Sequence, residues 1–148
     1  MAQQAIRVKV EGLAELRRAL LQLPEEIRGG PLRAAVSAGL KVVQQKAIAD
    51  APIDTGTLKR AIYRTRSREG SSRVQEEGIV GVRSGKKFQK SNRDAWYWRF
   101  LEFGTRHIAA QPFLRPAFDS TTSQQIEALR VKLAAAIERA AAKLSRGR

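Results

Sequence analysis

Of the fourteen carboxylates and one histidine in this sequence, Asp50, Asp54, Glu102 and His107 are the set that could do acid–base or metal chemistry together. Drawn together, three carboxylates and an imidazole would hold a magnesium ion or serve as acid and base. Their spacing does not require it. Asp50 and Asp54 flank Pro52 at the end of a helical pattern, where capping is the ordinary work of an aspartate. Glu102 stands between Leu101 and Phe103, in a segment that reads as packing. Phosphate-loop, nucleophile-elbow and metalloprotease patterns are missing. Without cysteine there is no disulfide and no thiolate zinc site, and one histidine makes no histidine cluster. The sequence therefore reads as carrying no catalytic, cofactor-binding or metal-binding residues. A magnesium-dependent nuclease is the enzyme alternative.

The other chemistry on offer is electrostatic. A net charge of +14 calls for an acidic partner, either nucleic acid or an acidic protein surface. Arg64, Arg66 and Arg68 recur at period two, so in a strand they would share one face as a row of positive charge. Lys86, Lys87, Lys90 and Arg93 follow in a basic insert, with Phe88, Trp96 and Trp98 close in sequence. A plain basic row contacts duplex phosphates without reading bases, whereas basic residues interleaved with aromatics bind single strands. These seven cations are the candidates for contact with passing DNA or with an acidic protein ring.

The elements that must position these groups are legible from periodicity. Ile6, Val8 and Val10 alternate with Arg7 and Lys9 as a short strand, and Leu13, Leu16, Leu20 and Leu23 form one stripe of a small amphipathic helix closed by Pro24. A second helix is predicted to open after Gly29-Gly30, with Pro31 in its first turn, and to run to about Asp50. Its buried side would be Leu32, Val36, Leu40, Val43 and Ala47, and Pro52 stops it. Residues 54–57 form a turn-and-cap signal before a single turn at 58–60. Residues 61–67 and the apolar set Ile79, Val80 and Val82 read as a β-hairpin across a polar link. The insert 84–94 reads as an exposed, mobile basic loop. Residues 95–103 have aromatics at both strand and helix spacing, and the helix is favoured. Ile126, Leu129, Leu133, Ile137, Ala140 and Leu144 predict one long helix from about 115 to 144, before a basic tail at 145–148.

The fold class expected is α+β, a small antiparallel sheet packed on one face by helices, with a long C-terminal helix. At 148 residues the chain is the size of one domain. No run approaches the roughly 18 apolar residues of a membrane span, and the N-terminus has no apolar stretch of signal-peptide length. The expectation is a chain that stays in the compartment where it is made, with no membrane partner.

Within this frame, residues 96–117 (WYWRFLEFGTRHIAAQPFLRPA) are built to dock. Glu102 needs a partner if buried, because an unpaired carboxylate among apolar groups is costly. An ion pair with Arg106, Arg115 or a neighbouring subunit's arginine is one solution, and exposure to water the other. Gly56 and Gly104 supply backbone angles that other residues resist. Pro112 and Pro116 bracket Phe113, Leu114 and Arg115 as a stiff apolar plug, suited to a core or to a subunit joint.

Three phrases occur in order: GLAELRRALLQL at 12–23, APIDTGTLKRAI at 51–62, and EFGT at 102–105 followed by PFLRPA at 112–117. In that order and spacing, over roughly residues 6–120, the chain resembles the tail-completion or head–tail joining family of long-tailed bacteriophages, often labelled phage morphogenesis or minor tail proteins. The basic insert and the basic tail depart from that pattern. The resemblance implies a structural virion protein, assembled in the host bacterial cytoplasm, that forms a ring of six subunits at the head-proximal end of the tail. Its partners would be itself, the neighbouring head-closure or adaptor and tail-terminator or tail-tube proteins, and transiently the genomic DNA. Glu102, Phe103, Gly104, Thr105, Arg106, Phe113, Leu114, Arg115 and Pro116 would form the subunit joint. The reading that rests on charge alone is a free, sequence-independent DNA-binding protein.

Overall fold

The computed structural model describes residues 6–7, 25–52, 56–71 and 75–146. The expected amphipathic helix at 13–23 and the continuation of the first strand through Val8 and Val10 lie outside them. The elements run β1 (Ile6–Arg7), α1 (Glu25–Asp50), α2 (Thr57–Ala61), β2 (Ile62–Ser67), β3 (Glu77–Val82), α3 (Lys86–Gln89), α4 (Trp98–Phe103), α5 (Leu114–Ser120) and α6 (Thr122–Arg146). The fold is α+β, as expected.

β3 lies at the centre of a three-stranded antiparallel sheet of order β1-β3-β2. It pairs with β2 from Ile62 opposite Val82 to Ser67 opposite Glu77, and with β1 through Ile6 opposite Val80. The predicted hairpin is therefore present. Directly opposed residues of an antiparallel pair project to the same face. Ile62, Val80 and Val82 accordingly enter the core together with Leu40, Val43 and Ala47 of α1. Leu58, Ala61, Ala95, Trp98, Phe113, Leu114 and Ala117 complete that core, so the polypeptide from α2 to α5 wraps around the junction of α1 and the sheet.

α1 begins at Glu25, one and a half turns before the predicted start, with Gly29, Gly30 and Pro31 inside it. Pro31 has no N–H to bond back to residue 27, yet the helix continues, because its next turns are held from two sides. Leu40, Val43 and Ala47 face the main core, and Ala35 joins Leu129 and Leu133 of α6 in a second cluster. Leu32 and Val36, expected in the buried stripe, are half-buried. At Gly39 an added Cβ would come within 3.3 Å of the Gln125 carbonyl oxygen, so the glycine permits α1 and α6 to approach closely.

The predicted C-terminal helix is broken in two at Thr121, which sits at φ −110 and ψ 9. The sequence signal is local. Thr121 Oγ1 donates to the Ala117 carbonyl at 2.6 Å, and Thr122 Oγ1 reaches the Phe118 carbonyl at 3.3 Å, so hydroxyls compete for the carbonyls that would continue the helix. The buried Gln125 side chain ties the joint together, donating to the Phe118 carbonyl at 2.8 Å and to Thr121 Oγ1 at 2.9 Å. This rotates the stripe of α6: Gln125, Leu129 and Leu133 are buried, whereas Ile126, expected inside, is 44% exposed. Ile137 packs half-buried on Val36's cluster, and the surroundings of Ala140 and Leu144 lie outside the described residues. Leu133→Ala removes the most deeply placed α6 contact. It is expected to cost about 2–4 kcal/mol in urea unfolding, with the loss felt first as increased amide exchange in α6.

Candidate assembly surface

Residues 95–117 form one folded unit, and Glu102 organises it. The helix α4 turns Trp98 and Glu102, four residues apart, inward, while Phe100 and Phe103 face outward. The Glu102 side chain is only 4% exposed. Its Oε2 accepts the backbone N–H groups of Phe113 at 2.8 Å and Leu114 at 3.0 Å, and its Oε1 accepts that of Arg115 at 2.9 Å. The first N–H groups of a helix have no partner within it. Here a carboxylate from a different helix supplies the acceptors and complements the positive end of α5. The expectation that Glu102 requires a partner is met, but by backbone amides rather than by an arginine side chain or water. A side-chain ion pair satisfies one charge, whereas the amide set satisfies both oxygens and the start of α5 together.

The intervening turn is equally specific. Gly104 lies at φ +72, and an added Cβ would stand 2.9 Å from the Ala110 nitrogen and 3.0 Å from the Ile108 oxygen. Both neighbours are backbone. Thr105 N–H donates to the Ile108 carbonyl at 2.8 Å, Thr105 Oγ1 accepts from Ile108 N–H at 3.0 Å, and Gln111 N–H returns to the Leu101 carbonyl at 2.7 Å. Gly104→Ala combines a left-handed backbone with a main-chain collision, so it is expected to cost about 2–3 kcal/mol, read as a fall in melting temperature with an unchanged helical spectrum. Gly56, at φ +74, is the other positive-φ glycine expected, and it is the N-cap of α2 without a side-chain hydrogen bond. Asp54 and Thr55 of the predicted capping turn lie outside the described residues.

Of the expected joint residues, Phe113 and Leu114 are core: Phe113 is completely buried and Leu114 is 3% exposed. Of the two roles open to the plug, the packing role is the one these two side chains fill. Phe103, Thr105, Arg106 and Arg115 are on the surface, and Pro116 is half-buried. The Arg115 guanidinium lies 6.0 Å from the centre of the Phe103 ring. Sequence reading placed Trp96 among the aromatics beside the basic insert and did not single out Phe100 or Ile108; the three are 64%, 46% and 51% exposed and extend the surface begun by Phe103 at 56%. The signal was available in the sequence, since Trp96, Phe100 and Phe103 are spaced by four and three. A single stripe of large aromatics opposite Ala95, Trp98 and Glu102 means that one of the two faces must be exposed.

The basic candidates divide into two groups. Arg64 and Arg66 share a face, as their spacing requires, and it is the face turned toward α1. Arg64 Nη1 donates to Gln44 Oε1 at 2.5 Å, and Arg66 pairs with Glu76, whose buried carboxylate also lies 4.0 Å from Arg33. A cleft of about 540 Å³ between α1 and β2 is lined by these groups. β2 ends at Ser67, so Arg68 is beyond the strand, in the following bend, and the three-residue row does not form. Lys86, Lys87, Lys90 and Arg93 are exposed on the insert. The insert contains the one-turn helix α3 and is closed by Ala95 N–H to the Arg83 carbonyl at 3.1 Å, Asp94 Oδ1 accepting from Gly85 N–H at 2.7 Å, and Thr57 Oγ1 donating to Asn92 at 2.9 Å.

The three described residues of the acid–base set have separate surroundings. Asp50 pairs with Lys46 at 2.7 Å, Glu102 is held by backbone amides, and His107 is exposed in the 105–108 turn. Asp54 lies outside the described residues. Among the described residues no three metal-ligating side chains come together, and no helix is long and apolar enough to cross a membrane.

A family model described as "Bacteriophage HK97-gp10, putative tail-component" matches residues 14–104, more than half of the chain. The chain belongs to the HK97-gp10-like family. The matched span takes in the 51–62 phrase and Glu102 through Gly104. It ends before Pro112, so the α5 start that Glu102 caps, and all of α6, lie beyond the part the family model describes. No curated protein and no solved structure matches the chain. This member of the family is thus a phage tail component, and the matched span runs from residue 14 to the end of α4 and Gly104.

Proposed function

We propose that the chain is a non-enzymatic structural virion protein that forms a ring, of six subunits, at the head-proximal end of a phage tail, completing the tail and joining it to the head. Membership of the HK97-gp10-like tail-component family is the observation that carries this reading. The rigid 95–117 unit supports it, because a ring repeats one head-to-tail contact around an axis and needs a surface that does not deform. In this reading the exposed side of the 95–117 unit is an assembly surface, and Glu102, Gly104, Phe113, Leu114 and Pro116 hold it in place. Neighbouring neck and tail proteins, such as head-closure, adaptor, terminator or tube proteins, meet the two faces of the ring. Arg68, Lys86, Lys87, Lys90 and Arg93 supply exposed charge for an acidic neighbour or for weak contact with DNA in the lumen. Tight binding there would stall ejection.

Cryo-EM of virions, with a deletion mutant examined in parallel, tests the proposal. The expected result is density for the chain at the neck, and unjoined heads and tails in the mutant. Joined particles that lack the chain would overturn it. The net charge of +14 keeps one other reading in play, a free duplex-binding protein. That reading predicts DNA affinity falling steeply with salt, by about 0.9 in log–log slope per phosphate neutralised, and no association that outlasts the salt.

A further inference from the structure

We infer that Trp96, Phe100, Phe103 and Ile108 form a docking face for a different protein of the tail, one that presents an apolar cluster flanked by carboxylates. The patch is large in chemical terms: four big apolar side chains, each about half exposed or more, on α4 and on the turns before and after it. Buried interface centres are enriched in Trp, Phe and Arg. The unit beneath the patch is tied down by the Glu102 cap and the Gly104 turn, so little order has to be imposed on binding.

Charge selects the occupant. Between Ala95 and Ala117 the exposed charged residues are Arg99, Arg106 and Arg115, with His107 beside them, and the single carboxylate, Glu102, is buried on amides. A symmetric contact between two copies of this patch would set those cations against one another, and a head-to-tail contact would set them against another face of a chain whose net charge is +14, whereas an acidic rim on another protein complements them. Ring geometry disfavours nucleic acid as the occupant. Trp96 and Phe100 stand edge-to-face, at 81° with centres 6.1 Å apart, and Arg115 lies over Phe103, an arrangement unlike the parallel platform on which successive bases stack.

The inference rests on the chain being a tail protein, and it names how that protein holds a neighbour. The test titrates the purified full-length chain against each separately purified neck and tail protein of the same phage, and against single-stranded oligothymidine, while light scattering follows self-association. The expected result is that one of those proteins binds. Phe100→Ser and Trp96→Ser each weaken it at least about tenfold with unchanged melting temperature, and Arg99→Glu or Arg106→Glu weakens it and removes its salt dependence. Binding indifferent to these substitutions, or no binding by any of those proteins, overturns the inference. So does a change confined to self-association, or Trp96-dependent binding of the oligothymidine. Normal neck assembly by Phe100→Ser in virions would reject the docking face and leave the neck role standing, whereas absence of the wild-type chain from virions would reject the neck role itself.

Discussion

Glu102→Ala is expected to lower stability by about 3–5 kcal/mol, because it leaves the N–H groups of Phe113, Leu114 and Arg115 without acceptors in a site that admits little water. For a chain of this length that is a fall in melting temperature of about 10 °C or more. Two companions separate the cap from simple loss of volume. Glu102→Gln keeps the size and one carbonyl oxygen but turns an NH₂ group toward a donor, so an intermediate loss of about 1–2 kcal/mol is expected. Glu102→Asp keeps the charge but is one methylene too short to span α4 to α5, and should lose nearly as much as alanine. A Glu102→Gln protein that unfolds at the same urea concentration as the wild type would show that the amide contacts contribute nothing. The site of the damage is specific too: α5 should lose amide protection before the β2–β3 pairing does.

Phe113→Ala carries the second large effect, about 3–5 kcal/mol. Phe113 is the largest side chain of the chain to be fully buried among the described residues, and its removal opens a cavity where α5 meets the main core. Phe113→Leu, which keeps most of the volume, should cost less than about 1.5 kcal/mol. Phe103→Ala is the informative control. Only ten positions away and of the same residue type, it is 56% exposed, so its unfolding free energy should change by no more than about 0.5 kcal/mol. If the outer aromatic face is used in assembly, Phe103→Ala impairs association without impairing folding, and Phe113→Ala does the reverse. Equal effects of the two on urea unfolding would mean that the division into a core plug and an outer face is wrong.

Much of the fold could be read from local pattern. The hairpin of β2 and β3 follows from alternation in two short segments, and α4 is the favoured of two readings that the aromatics of 95–103 leave open. Leu40, Val43 and Ala47 fall at three- and four-residue steps, and only one arrangement buries all of them. The same reasoning failed where a side chain competes with the backbone for its own hydrogen bonds. Thr121 and Thr122 contribute no gap to an apolar stripe, so periodicity passes straight through them, yet their hydroxyls cap the carbonyls of the preceding turn and divide α5 from α6. Gly29, Gly30 and Pro31 erred in the opposite direction: each is a poor helix residue, but α1 runs through all three because its later turns are clamped by the sheet and by α6.

Composition, charge and residue order thus determined, by themselves, an α+β domain of strongly basic character, and the ordered phrases carried its likeness to phage tail-completion proteins. These are properties of single residues and near neighbours, and they do not depend on how distant segments meet. Tertiary structure decided which residues of the docking segment hold it and which face outward. Glu102 and the amides it accepts are separated by eleven to thirteen positions, a pairing no local periodicity can report. Arg64 and Arg66 lie on one face by spacing alone, but only packing against α1 shows that this face already contains Gln44 and Glu76 as partners. Burying Trp98 and Phe113 leaves Trp96, Phe100, Phe103 and Ile108 uncovered, because a two-sided aromatic segment on a small core can hide only one side.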